Sequence, residues 1–528
     1  MPLTANLHLL LPEFLLATLA FVVFAIDLLL PSDRSNPSAS SGSGLRLRAN
    51  LLAWVSVAGL VGLVALSLAL LWGENTELYG GLVKADAYSL FFKSFFLILG
   101  IFIILSSVDY VTKYLSHPGE YYGIILFSVL AMNVLAASRE LLTAYIALEL
   151  MSFSFYIMAS YARTNPKSNE AGIKYILIGA FSSAILLFGI SMLYSSIGVT
   201  RYADISAALT NATDVSPALW VGLALILVGL GFKVAAVPFH MWAPDVYEGA
   251  PLPVTAYLAV GSKAAAFALV LRLFAEAFLP SIDDWHVIVA ILAAITMTVG
   301  NLVAIAQHNI KRLLAYSSIG QVGFLLVGIA ALSPLASNGV MLHLVGYAFT
   351  NMVVFVGIIA FFNVTGKEEI SDLSGLADRH PFLAAAVSMG MFSLAGLPFF
   401  AGFTTKFYLF TAAANEGLLW LSGLAILNSL ISLYYYLVVI RHMYIQSAPE
   451  MEREPEPALA HNPHPQIPPS PPLQRGVGGI SGGEREHPSL LIIAVLVVMV
   501  LGTFFVGVYP FPIVEALDAA TAAILPAG

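Results

Sequence analysis

Residues 232–263 read FKVAAVPFHMWAPDVYEGAPLPVTAYLAVGSK. The stretch opens inside one apolar segment of membrane length and closes inside the next. Lys233 and Lys263 stand within those two segments, and Pro238 interrupts the first. Lys93 and Lys406 stand in segments of the same kind. An ammonium group at the bilayer centre costs ~2.5–3.5 kcal/mol on insertion scales. Apolar packing does not repay that cost for a lysine, so the pattern reads as a path for charge, most simply for protons.

The rest of the chain agrees with a membrane reading. Of its 528 residues 59% are hydrophobic and 10% charged, and the mean hydropathy is +0.87. Soluble domains carry about 25% charged residues. The net charge of −8 sits in loops and does not point to nucleic acid. With no cysteine, the chain lacks thiolate ligands for iron–sulfur clusters or metals and cannot form disulfides. No G-x-G-x-x-G opens a dinucleotide-binding unit. There is also no H-E-x-x-H, no convincing Ser-His-Asp set and no phosphate loop. If redox chemistry is involved, another chain carries the electrons.

A helix needs about 20 apolar residues to cross ~30 Å of hydrocarbon. Fourteen segments qualify: 9–30, 50–72, 88–108, 121–137, 141–161, 171–198, 219–242, 252–275, 285–306, 311–332, 337–362, 381–413, 418–441 and 489–509. The first lacks the basic start of a cleaved signal and is followed by further spans. Of the 23 lysines and arginines, four are the lysines above, fifteen lie in or beside odd-numbered loops, and four beside even ones. The positive-inside rule then places odd loops in the cytoplasm and both ends of the chain outside. Residues 447–488, rich in proline and glycine, read as a flexible cytoplasmic loop, and 32–44 as a linker. His461, His464 and His487 in or beside that loop do not have metal-site spacing.

Two spans read as broken. Span 7 carries Lys233 and then Pro238; span 12 carries Gly396-Leu397-Pro398 and then Lys406. Proline removes a backbone donor and clashes with the preceding turn. Freed backbone groups at membrane depth survive only beside protein or water. Spans five apart cross in opposite directions, so these two suggest an inverted repeat, spans 4–8 against 9–13, and matched broken helices point to a transport site. The expected architecture is an all-α polytopic membrane protein. It divides into a three-helix segment (1–110), a first repeat (111–275), a second repeat (276–446), the loop (447–488) and a last helix (489–528).

Glu149, near the middle of span 5, is expected to pair with Lys233; otherwise the pair would be only a static packing element, which rarely outperforms apolar residues. Lys263 lies at the centre of span 8, close to Lys233 in depth, where two ammonium groups repel as a proton relay requires. His240 would extend the relay toward the cytoplasm, or else hydrogen-bond to loop backbone. Lys406 is the exit-side group, with Thr404 and Thr405 beside it to hold water. Lys93 is expected to snorkel to the interface and has no role assigned. Asp27 and Glu13 read as interfacial. His343 in span 11 reads as a polar residue satisfied by a neighbouring helix. Span 10 has no carboxylate matching Glu149, and span 13 has Asn428 and Ser429 but no lysine.

Three motifs add a family resemblance. Residues 233–263, the run NIKRLLAYSS at 309–318, and LAGLP at 394–398 with Lys406 resemble the antiporter-like subunits of type-I NADH dehydrogenases. Among these the chain is similar to subunit 2, called N in bacteria and B in chloroplasts and cyanobacteria. KSNEA at 167–171 with Lys174-Tyr175, and DVYEG at 245–249, resemble the chloroplast and cyanobacterial form. The resemblance covers most of residues 110–445; the loop at 447–488 departs from it.

The resemblance implies fourteen helices with two inverted five-helix bundles. It implies one proton channel using Glu149, Lys233, Lys263 and Lys406, and no cofactor in this chain. Partners would be sibling antiporter-like subunits and a redox arm with iron–sulfur clusters. In the photosynthetic form the acceptor would be plastoquinone, the donor NAD(P)H or reduced ferredoxin, and the membrane the thylakoid; otherwise it would be the bacterial inner membrane. A stand-alone or Mrp-like cation/proton antiporter is the alternative, and a non-transporting scaffold a third reading.

Overall fold

The computed structural model describes residues 6–30, 42–211, 216–447 and 487–525. The Pro/Gly-rich loop and most of the 32–44 linker lie outside these residues. Among the described residues thirteen helices are long and apolar enough to cross a membrane. A fourteenth crossing is made by two shorter helices, Pro381–Ala395 and Ala401–Asn415, which together form span 12. The only strands among the described residues are a small antiparallel hairpin, Thr76–Leu78 with Val83–Ala85, between spans 2 and 3.

Span boundaries follow local chemistry. Asp86, Glu140, Asn165, Ser216, Asn309, Ser333 and Ser489 each accept a backbone N–H at a helix start. Proline occupies the first turn of spans 4, 6, 7, 11 and 12, where its missing N–H costs nothing. These caps extend span 6 to Pro166–Ile197 and span 11 to Pro334–Thr365, several residues beyond the apolar cores that mark them in the sequence. Spans 8 and 10 are enclosed by other helices along their whole length, whereas spans 1, 2, 6, 13 and 14 expose apolar faces. A further helix, Phe511–Ala522, follows span 14 and packs against spans 3 and 11; hydropathy alone does not mark it as an element.

Both expected breaks are present. Span 7 is helical only over Pro217–Val234, 18 residues or about 27 Å at the helical rise. The chain then runs irregularly, with Ala235 at φ 61 and a cis Val237–Pro238 bond, into a short helix, Trp242–Gly249. Span 12 breaks over residues 396–400, where Gly396 (φ 88) takes the left-handed geometry that L side chains resist. Span 8 carries an irregularity with no signal in the sequence. Between Leu252–Tyr257 and Lys263–Glu276 runs a π-helical stretch, Leu258–Ser262, which ends beside Lys263. Such stretches occur often at functional sites.

Candidate functional site

The break in span 7 has its loose backbone groups satisfied by neighbours. The Trp242 indole N–H donates to the Phe232 carbonyl at 3.0 Å, and the Val237 N–H donates to Thr296 Oγ1 of span 9 at 3.1 Å. Lys233 therefore sits in the last turn of a well-capped helix, where carbonyl dipoles favour a cation. Its Nζ meets Ser152 Oγ at 2.8 Å, Ser183 Oγ at 3.1 Å and Glu149 Oε1 at 3.3 Å. Ser183 also donates to Glu149 Oε1 at 2.6 Å. The lysine and carboxylate thus make a loose pair, with two hydroxyls from spans 5 and 6 filling the remaining hydrogen-bond positions.

Lys263 is buried and bonds Ser318 of span 10. Ser318 in turn accepts from the Tyr347 hydroxyl of span 11 at 2.8 Å. The Lys263 ammonium also lies 5.7 Å from the centre of the Tyr247 ring. Tyr347 stacks on His343, with ring centres 6.4 Å apart and planes at 14°. His343 Nδ1 bonds Thr405 Oγ1 at 2.8 Å, and Thr405 adjoins Lys406. A row of polar groups therefore runs from span 8 through spans 10 and 11 to the second half of span 12. Among the described residues no hydrogen bond joins Lys233 directly to Lys263.

Lys406 folds back onto the break in its own span. Its Nζ donates to the Leu394 carbonyl at 2.8 Å, to that of Ala395 at 3.4 Å and to Ser429 Oγ at 2.9 Å. Gln321 also reaches the Leu394 carbonyl, at 3.3 Å, and Ser393 Oγ accepts the Gly402 N–H at 3.1 Å. The ammonium is thus a C-terminal cap for the first half of span 12.

Several expectations change. His240 is buried near the span 7 break, but its Nδ1 has no partner and it bonds none of the three lysines. Thr404 is committed to the Gly507 carbonyl of span 14 at 2.7 Å, and Thr405 to His343. Lys93 does not snorkel. It is 1% exposed and lies 2.5 Å from Glu13, which is itself buried. The contact is close but poorly directed, so neither Glu13 oxygen makes a proper hydrogen bond. Both side chains are packed inside the protein and paired with each other, which holds the ammonium in place.

At the opposite end of the first repeat, Arg272 is buried at the end of span 8. It bonds Asp86, the cap of span 3, and the Ala136 carbonyl of span 4 at 2.8 Å. Its guanidinium lies 4.7 Å from the Tyr88 ring centre and 3.2 Å from Glu276. Arg139 pairs with Glu276 at 2.5 Å and with Glu77 on the hairpin. By sequence position Arg272 looks like a loop-side charge; its burial follows from two carboxylates, Asp86 at the start of span 3 and Glu276 one turn on in its own helix. No group of three or more potential metal ligands occurs among the described residues.

A model of the family described as NADH:quinone oxidoreductase/Mrp antiporter, TM, matches residues 138–432. A Moorella thermoacetica protein, NADH-quinone oxidoreductase subunit N, is 42% identical over 525 residues, 99% of this chain and 100% of its own length. The chain belongs to the NADH-quinone oxidoreductase subunit N family. A Trichodesmium erythraeum relative of this family, NAD(P)H-quinone oxidoreductase subunit 2, is also 42% identical, over 404 residues covering 75% of this chain and 77% of the relative. In a structure of respiratory complex I from Thermus thermophilus with bound aureothin, a chain 28% identical superposes with a TM-score of 0.73, covering 97% of this chain and all of that one. A chain of the Mrp complex from Dietzia superposes with a TM-score of 0.80 at 21% identity, covering 99% and 98%, which shows a shared fold.

Membership of the subunit N family rests on the relatives, because the matching family description also includes Mrp antiporters. The equal identities do not single out a cyanobacterial or chloroplast form. The structure gives the runs behind that expectation a packing reason. Asp245 bridges Lys174 and Arg312, each at 2.8 Å, while Glu248 meets Lys167 at 3.3 Å and Arg312 at 3.2 Å. This cluster ties the short helix after span 7 to the starts of spans 6 and 10.

Burial pushes the Asp245 carboxyl up, but Lys174 and Arg312 more than offset this and hold it below its ordinary value of 3.8. Its contribution to stability is therefore present above that value and is lost as the pH falls through the lowered one. With every member a quarter or more exposed, Asp245→Asn is expected to cost no more than about 1 kcal/mol. In thermal inactivation of the intact assembly the shift should be a few degrees and shrink at high salt. A salt-independent shift would rule out the ion pairs as its cause.

Proposed function

We propose that this chain is a proton-translocating membrane-arm subunit of an NADH-quinone oxidoreductase, coupled to quinone reduction in partner subunits. The observation that carries this reading is the Glu149–Lys233 pair, set at a broken helix end and solvated by two serines. A packing staple would favour short, fully directed bonds; this pair is loose, and both members have alternative hydrogen-bond partners. Separation of Glu149 from Lys233 removes the anion that favours the charged lysine, and one pKa unit of such change corresponds to ~1.4 kcal/mol. The released proton passes to Lys263, then along Ser318, Tyr347, His343 and Thr405 to Lys406. Transfer between Lys233 and Lys263, between the stacked rings of Tyr347 and His343, and between Thr405 and Lys406 requires water or side-chain movement. His240 serves loading from the cytoplasmic side. The two repeats, residues 111–275 and 276–446, each supply one broken helix to this path.

NADH, quinone and iron–sulfur clusters belong to the partners: a redox arm and sibling antiporter-like subunits. Similarity to a bacterial protein favours a bacterial inner membrane, and the lysine and arginine distribution of this sequence favours both ends of the chain outside. The photosynthetic variant, with plastoquinone, ferredoxin and the thylakoid, draws only on the runs at 167–175 and 245–249 and on the Trichodesmium relative.

The test is proton translocation driven by NADH–quinone electron transfer in vesicles bearing the intact complex. Lys263→Met is expected to cut protons moved per electron pair by at least about half, while assembly stays normal. An undiminished ratio would reject the path. Sodium-dependent proton exchange by the chain alone would favour the stand-alone antiporter.

A further inference from the structure

An apolar cavity of about 580 Å³ lies between spans 2, 3, 11 and 14 and the Phe511–Ala522 helix. Small side chains leave the space. They are Ala87 at the start of span 3, Ala348 in span 11, and Ala516 and Ala519, three residues apart on one face of the last helix. No charged residue lines the cavity, and Ser94 supplies its single hydroxyl. None of the residues proposed for the proton path belongs to its wall.

Its depth follows from where the lining residues fall along the spans. Trp72 and Gly73 stand at the end of span 2, and Trp72 is 77% exposed, as tryptophans at a membrane–water interface are. At the other extreme, Phe102, Met352 and Met499 stand close to the middle of Ala87–Tyr114, Pro334–Thr365 and Leu490–Val508. The cavity therefore runs from one surface to the bilayer midplane, a single leaflet or about 15 Å of hydrocarbon. Leu68 and Ile98 on its side are 39% and 41% exposed, which opens it toward the lipid. Its walls are held from behind. Asn338 of span 11 donates to Asp518 at 2.5 Å and accepts from Thr521 at 2.5 Å, which fixes the last helix on its far face. Span 2 packs on span 3, but among the described residues it makes no extensive contact with span 11 or the last helix.

An apolar space of this size excludes water, so its lining needs hydrocarbon for its dispersion contacts. We propose that the cavity binds one acyl chain of a phospholipid from the leaflet at the Trp72 end. On the sidedness proposed above, that is the outer leaflet. The chain would fill the gap between span 2 and the last helix, and so tie the N-terminal three-helix segment to the C-terminal end of the protein. Ser94 suits the lipid's ester. Span 3, at 28 residues, is about 42 Å long, ~12 Å more than the hydrocarbon core. Ser94 stands about 10 Å from its start, hence about 5 Å inside the hydrocarbon boundary, near the depth of ester carbonyls. Its hydroxyl has no partner among the described residues, and a χ1 rotation would let it donate to such a carbonyl. With no charge in the wall, the chain and not the headgroup is recognised.

The test uses the intact complex in mild detergent, with the lipid retained by this chain counted by native mass spectrometry. Ala516→Phe/Ala519→Phe places two rings in the cavity from a helix anchored on its far face, and should retain one phospholipid fewer than wild type. Ala348→Leu, from the opposite wall, gives a second reading if the double variant assembles poorly. Added to delipidated wild type, dipalmitoyl phosphatidylglycerol and dipalmitoyl phosphatidylethanolamine should restore that molecule alike. Their dioctanoyl forms should bind at least about ten-fold more weakly, because fewer methylenes are buried. Ser94→Ala should weaken the dipalmitoyl lipids about five-fold. Equal retention in wild type and the filled variants, a quinone retained in place of the phospholipid, or binding indifferent to chain length would each overturn the proposal.

Discussion

Replacing Lys233 with either methionine or arginine is expected to cut the protons moved per electron pair by at least about half, as Lys263→Met does, while the complex still assembles. The two substitutions fail for different reasons, and together they separate transport from packing. Methionine removes the titrating group and leaves Glu149 with Ser183. Arginine keeps a cation opposite Glu149, and so keeps the ion pair, but a guanidinium does not release its proton in the working range. If the pair only holds spans 5, 6 and 7 together, arginine should be nearly neutral. If the pair passes protons, both variants should lose them, at ~1.4 kcal/mol for each tenfold in rate. Protons moved per electron pair, read in sealed vesicles, is the measurement. Normal coupling in Lys233→Arg would remove Lys233 from the path.

The largest expected loss of stability is at Arg272. Arg272→Met leaves Asp86 and Glu276, whose side chains are 1% and 6% exposed, without their shared cation, so that Asp86 keeps only the looser Lys84 at 3.6 Å and Glu276 keeps Arg139. Removing one member of a buried ionic group costs about 3–5 kcal/mol, because the remaining charges stay desolvated. Here the loss also strips a bond from the Ala136 carbonyl at the end of span 4 and loosens the cap of span 3. The variant chain should fail to accumulate in the membrane or should inactivate at a markedly lower temperature. Arg272→Met combined with Asp86→Asn should recover part of the loss, since it also removes the buried carboxylate left with only the looser Lys84 pairing. Normal accumulation and heat stability of Arg272→Met alone would show that the cluster does not hold these helices together.

Much of the plan was legible because membrane insertion penalises whatever breaks the apolar pattern. Pro238, Gly396 and Pro398 marked the broken spans, and Glu149 and Lys233 stood out as expensive residues with an obvious partner in each other. The Lys93–Glu13 pair was missed because both residues sit near span ends, where position cannot tell burial from snorkelling. Arg272 was missed for the same reason. The row from Ser318 through Tyr347 and His343 to Thr405 was hidden for another: serine, threonine and tyrosine are inexpensive in any span, and only the packing of spans 8, 10, 11 and 12 brings them together. The π-helical stretch before Lys263 had no signal at all, since Leu258–Ser262 is an ordinary apolar run.

Lys406 does two jobs with one atom. Its Nζ is the end of the proposed proton row and also the clasp on the carbonyls of Leu394 and Ala395. A neutral amine attracts those carbonyls less than an ammonium does, so discharge of the proton and slackening of the broken helix become one event. Span 12 would then work as a valve whose latch is the transported charge itself. It stays fastened while loaded, yields as it empties, and refastens when the next proton arrives.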